Sequence, residues 1–139
     1  MNVLVDTSVW SLALRRASRD LNSSEKAIVA ELAELIKEAR ARIIGLIRQE
    51  LLSGLKNPDQ FKKVREILRA FPDEPVDTAD YEAAALAGNE CRSRGVSVSL
   101  ADLLICAIAA SRGWSIYSAD ADFKRYAKIL PIALHSTRR

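Results

Sequence analysis

Val3-Leu4-Val5-Asp6-Thr7-Ser8-Val9-Trp10 opens with three apolar residues and then turns abruptly to a carboxylate followed by two hydroxyls. A short, wholly apolar run bounded by a polar turn reads as a buried strand. Asp6 then stands just past its carboxyl end. The same pattern returns three more times. Ile43 to Ile47 reads as a second strand and Trp114 to Tyr117 as a third, the latter followed by Ser118-Ala119-Asp120-Ala121-Asp122-Phe123. Ile132 to Leu134 reads as the last, and Pro75-Val76 carries a fainter strand signal.

Between these runs the apolar spacing is helical. Leu21 to Ala41 places Ile28, Leu32, Leu35, Ile36 and Ala39 on one face, and Asn22 with Glu25 forms a capping box at its start. A helix carrying Glu50 follows the second strand and stops near Gly54. From Asp59 another helix aligns Phe61, Val64, Leu68 and Phe71 until Pro72 ends it. Asp77 to Arg94 is expected to turn Tyr81, Ala84, Ala85, Gly88 and Cys91 inward, and Gly95 breaks it. Ser99 caps Leu100 to Ser111, which is apolar nearly all round and therefore deeply buried. Phe123 to Lys128 makes a short last helix. Strands alternating with amphipathic helices predict an α/β fold, a three-layer α/β/α arrangement around a mainly parallel sheet. The 139 residues fit a single domain.

Composition removes several classes of function. With 49% apolar and 28% charged residues the chain reads as a globular protein. No run approaches the roughly 18 apolar residues of a membrane span, and Asp6 interrupts the opening one, which argues against a signal peptide. No membrane association and a cytoplasmic location are expected. Cys91 and Cys106 fall in helical stretches and read as buried free thiols. The single histidine, His135, supplies neither a zinc ligand set nor a histidine-based triad.

The informative residues are acidic. Asp6 and Asp120 follow strands, Glu50 sits beside Leu51-Leu52, and Asp102 is the only charged residue between Arg94 and Arg112. A carboxylate near apolar packing is costly unless it is paired or holds a metal. In a parallel sheet, ligands bind at the carboxyl ends of the strands near a switch in strand order. Asp6 and Asp120 converge there, and Asp102, in the first turn of its helix, joins them. Each has an ordinary local alternative: an Asx turn after a strand for Asp6, a capping box with Ser99 for Asp102, a plain strand-to-helix turn for Asp120, a solvated helix face for Glu50. The hydroxyls after Asp6, including Ser8, suit a role in orienting its carboxylate.

Taken together, these pieces resemble the PIN-domain family, in particular the VapC-type toxins of toxin–antitoxin pairs. The likeness spans essentially the whole chain: the first strand with Asp6-Thr7-Ser8, the Glu50-Leu51-Leu52 helix with Gly54 after it, Ala101-Asp102 opening an apolar helix, and the closing Ser118-Ala119-Asp120-Ala121-Asp122-Phe123. One departure is mild, since Ser118 stands where the family often has threonine. The resemblance implies a PIN-like nuclease domain over residues 1–135 with a tail at 136–139. It implies a metal-dependent endoribonuclease, a homodimer inhibited by a cognate VapB-type antitoxin. Asp6, Glu50, Asp102 and Asp120 would be its catalytic and metal-binding quartet, holding Mg2+ or Mn2+. Ser8 and Ser118 would support them, and Asp122 would be either an outer group or a turn residue.

Net charge is only +3, yet setting the four acids aside leaves 14 acidic against 21 basic residues, an excess of +7 suited to a polyanion. Arg15, Arg16, Lys56 and Arg112 are the expected RNA contacts at the rim, and a tRNA or ribosomal RNA loop is the substrate the family likeness suggests. Other readings stay open: a catalytically silent module binding RNA or antitoxin, and an RNA-processing PIN nuclease outside any toxin pair. A phospho-acceptor signalling domain would need an acidic pair after the first strand, and here there is one acid.

Overall fold

The computed structural model describes residues 1–138. Four strands, β1 (Val3–Val5), β2 (Ala41–Arg42), β3 (Ser115–Tyr117) and β4 (Ala133–Leu134), form one sheet in the order β2-β1-β3-β4. All three pairings are parallel, with Val3 opposite both Ala41 and Ser115, and Ile116 opposite Leu134. Among the described residues seven α-helices accompany the sheet, with a short 3-10 helix at Ser18–Asp20: α1 (Thr7–Leu14), α2 (Ser23–Lys37), α3 (Gly45–Leu52), α4 (Pro58–Leu68), α5 (Thr78–Ser93), α6 (Leu100–Arg112) and α7 (Asp122–Ala127). No helix is long and apolar enough to cross a membrane among the described residues.

The central strands β1 and β3 are buried along their whole length, which is why they read as continuous apolar runs and not as alternating ones. Around them one core gathers the aliphatic faces of α2, α3, α4 and α6. Trp10 anchors the first turn of the chain, donating its indole N–H to the Val5 carbonyl at 3.1 Å and meeting Phe71 edge to face at 5.1 Å. Both cysteines are buried and free.

Three expectations need correction. The second strand is Ala41–Arg42, and Ile44 is already the N-cap of α3, so Ile43 to Ile47 is mostly helix entry. A short apolar run cannot separate a buried strand from a buried helix start by periodicity alone. No strand forms at Pro75-Val76; the segment instead meets the sheet edge through one bridge between Ile43 and Asp73. On α5 the buried stripe is Asp80, Ala84, Gly88 and Cys91, while Ala85 is exposed and Tyr81 is 58% exposed. Gly88 permits that face to press on α6, since an added Cβ there would stand 2.8 Å from Leu103.

Residues 136–138 run back along the body. The Thr137 hydroxyl lies 2.6 Å from that of Tyr117, and Arg138 donates to Glu31 and Glu38 at 2.8 Å each.

Candidate active site

The strand order reverses direction between β1 and β3. From β1 the chain moves to β2 on one side and then crosses to β3 on the other, which opens a crevice at their carboxyl ends. Asp6 occupies it as the N-cap of α1 and is only 6% exposed. Its amide donates to the Tyr117 carbonyl at 2.9 Å, tying the two strand ends together. Its Oδ2 accepts hydroxyl bonds from Ser8 at 2.7 Å and Ser118 at 2.8 Å. Those hydroxyls in turn accept from the Ala119 and Asp120 amides, each at 2.9 Å. Ser8 and Ser118 thus fix the Asp6 carboxylate and the turn that carries Asp120 in a single network.

The other acids reach the crevice from separate elements. Glu50, in the last turn of α3, accepts the Thr7 hydroxyl at 2.8 Å, beside Asp6. Asp120 is exposed after β3 and its Oδ1 accepts the Asp122 amide at 2.9 Å. Asp102 is half-buried in the first turn of α6 and accepts the Tyr126 hydroxyl at 2.8 Å. Burial pushes the Asp102 carboxyl above its usual range, the charges of Asp6 and Asp120 push the same way, and the Tyr126 and Ser99 hydroxyls oppose them. Three carboxylates from distant parts of the chain therefore feel one another. Asp122 does not turn into the crevice, for its carboxylate takes the Arg125 guanidinium at 2.7 Å.

In each of the four carboxylates the protein engages one oxygen and leaves the other without a protein partner among the described residues. Like-charged groups with unused oxygen ligands suit a hard divalent cation. No three acidic, histidine or cysteine side chains stand close enough to form a finished ligand cage among the described residues. Magnesium ordinarily keeps several waters and needs only one or two carboxylates, so this open arrangement fits it and fits a caged ion poorly. The sole histidine is committed elsewhere, 2.6 Å from Glu31.

A family model for the PIN domain matches residues 3–129. The chain belongs to the PIN-domain family. This PIN domain is 31% identical over 140 residues to Ribonuclease VapC11 of Mycobacterium tuberculosis, covering 98% of this chain and 99% of that protein. A VapC ribonuclease of Mycobacterium bovis, Mb1587, matches equally. Among solved structures, FitAcB from Neisseria gonorrhoeae superposes with a TM-score of 0.76 at 23% identity, covering 97% of both chains. VapBC2 from Rickettsia felis, bound to a DNA fragment from its promoter, gives 0.73 at 18% identity, covering 97% of this chain and 98% of that one. These structural likenesses bear out the α/β fold with a parallel sheet.

The basic residues named from sequence do not share one fate in this PIN domain. Arg112 is a correction. It sits at the far end of α6 from Asp102, about 15 Å away at 1.5 Å per residue. There it donates to Glu74 at 2.9 Å, to both Asp80 oxygens at 2.6 and 3.0 Å, and to the Pro75 carbonyl. Arg16 pairs with Glu25 at 3.2 Å and donates to the Asp20 carbonyl, bracing the turn between α1 and α2. Lys56 is exposed, and the Arg15 guanidinium lies against Gly54, past the end of the helix that carries Glu50. What sequence reasoning missed is Tyr126. It reads as an ordinary apolar position of a short helix, and nothing local signals where its hydroxyl goes.

Proposed function

We propose that this PIN domain is a divalent-metal-dependent endoribonuclease and the toxin of a toxin–antitoxin pair. The observation that carries the proposal is the crevice between β1 and β3, where Asp6 is buried and Asp102 lies within reach of the Asp6 and Asp120 charges, with Glu50 bonded to the Thr7 hydroxyl. Near-full-length similarity to proteins named VapC ribonucleases supports RNA as the substrate. The neighbours solved as VapBC complexes support a cognate VapB-type antitoxin as the partner.

Asp6 and Asp102 would hold Mg2+ or Mn2+ through their unused oxygens, with Glu50 and Asp120 at the exposed side of the crevice. When bound, such an ion supplies a more acidic water and stabilises negative charge on the attacked phosphate. Ser8 and Ser118 keep Asp6 oriented, and its burial limits solvent there. Water adds to phosphorus, the bond to the ribose 3′ oxygen breaks, and that oxygen takes a proton, leaving 5′-phosphate and 3′-hydroxyl ends. Arg15 and Lys56 would serve as contacts for backbone phosphates, which give affinity and salt dependence without sequence choice. Homodimerisation is proposed on family likeness.

The test is cleavage of total RNA by the purified chain in Mn2+, with chelator and Asp6→Asn as controls. Cleavage that chelator and the substitution both abolish supports the reading. RNA left intact by well-folded, metal-replete protein overturns it in favour of a silent binding module.

A further inference from the structure

In three helices the third residue is an acid and the N-cap side chain accepts its amide: Asn22 with Glu25 on α2, Asp77 with Asp80 on α5, and Ser99 with Asp102 on α6. On α2 and α5 the acid folds back and accepts the N-cap amide, each at 3.0 Å, completing a reciprocal box. On α6 the first half forms, with the Asp102 amide donating to Ser99 Oγ at 3.1 Å. The return half does not form among the described residues. The carboxylate instead accepts the Tyr126 hydroxyl at 2.8 Å, across 24 positions of sequence.

We infer that Tyr126 is a positioning residue that holds Asp102 out of its capping box and aims its free oxygen into the acidic crevice. The inference rests on the metal-dependent reading above. Local energetics favour the box, because it satisfies an orphan N–H of the first turn. Something must outcompete it, and the phenol is well placed to do so. Tyr126 is 2% exposed, so its hydroxyl needs a partner inside the protein. Its ring packs edge to face on Phe123 at 5.4 Å. The bond occupies Oδ2, leaving Oδ1 for a ligand. α7, which carries Tyr126, begins two residues after Asp120, so one element sets both acids relative to Asp6.

The decisive experiment measures Mn2+ binding by the intact chain, from the electron paramagnetic resonance signal of free Mn2+, for wild type, Tyr126→Phe, Asp102→Asn and the double variant. Phenylalanine keeps the ring and its packing, and thermal unfolding checks that the fold survives. Tyr126→Phe is expected to weaken Mn2+ binding about 10-fold, in the range found for groups that orient a ligand. Asp102→Asn is expected to weaken it more, and the double variant to match Asp102→Asn alone. Wild-type affinity in Tyr126→Phe beside a clear loss in Asp102→Asn overturns the role of Tyr126 and leaves the metal site standing. Additive losses overturn it too, by showing that Tyr126 acts elsewhere. Unchanged affinity in both single variants overturns the metal reading itself, and the positioning role with it.

Discussion

The starts of α5 and α6 use the same device to opposite ends. Each has an acid three residues past an N-cap whose side chain accepts that acid's amide. At α5 the carboxylate of Asp80 is saturated: it closes the box on Asp77 and takes both arms of Arg112. The guanidinium of Arg112 holds its carboxyl down to about 2, against the opposing effect of burial. At α6 the carboxylate of Asp102 is left short, and burial with two like charges drives its carboxyl up. Identical local patterns therefore yield a structural acid in one place and a site acid in the other. The difference is whether a cation already belongs to the fold, and an acid the fold leaves uncompensated is a candidate for ligand chemistry.

Breaking the comparison on the α6 side should give the largest effect on activity. Asp102→Asn is expected to lower RNA cleavage in Mn2+ by more than about 100-fold, because groups that only orient a ligand already cost 10- to 100-fold. The folded state should tolerate it, since asparagine removes a crowded charge; a cleavage time course beside a urea melt checks both halves.

On the α5 side the same kind of change should strike stability and spare chemistry. Arg112→Ala leaves Asp80, 5% exposed, as a buried charge without its partner. The expected cost is roughly 3 kcal/mol in urea unfolding, within the range for breaking a buried pair. Cleavage per folded molecule well below the melting temperature should stay at the wild-type level.

Acid should separate the two helix starts further. A carboxyl held near 2 in the folded state and near 4 when unfolded contributes stability that is full above about pH 4 and is lost as pH falls toward 2. The Arg112→Ala protein lacks that contribution and should show a flatter stability profile between about pH 4 and pH 2, the span of those two pKa values. Urea midpoints across that window decide it. The smallest effect is expected from Ser99→Ala, which removes only the half of the box that α6 retains and should cost about 1 kcal/mol.

Much of this was legible beforehand because it is local. The buried strand at Val3–Val5, the capping box of Asn22 and Glu25, the N-cap at Ser99 and the position of Asp6 past a strand all follow from neighbours a few residues apart. Arg112 misled because its charge reads the same whether it faces RNA or, as here, closes on Asp80 and Glu74. Tyr81 misled because helical spacing marks a possible inner face without saying how wide the packed stripe is; α6 covers only part of it.

Alternating apolar runs and helix caps, read one after another, determined an α/β chain with carboxylates at strand ends, since strand and helix periods and cap chemistry act over three or four residues. Tertiary packing alone decided which of the 18 acids share a crevice and which are neutralised. The bonds that settle it join Ser118 to Asp6 across 112 positions and Tyr126 to Asp102 across 24. Such contacts depend on how the sheet stacks its elements, and no spacing along the chain encodes that directly.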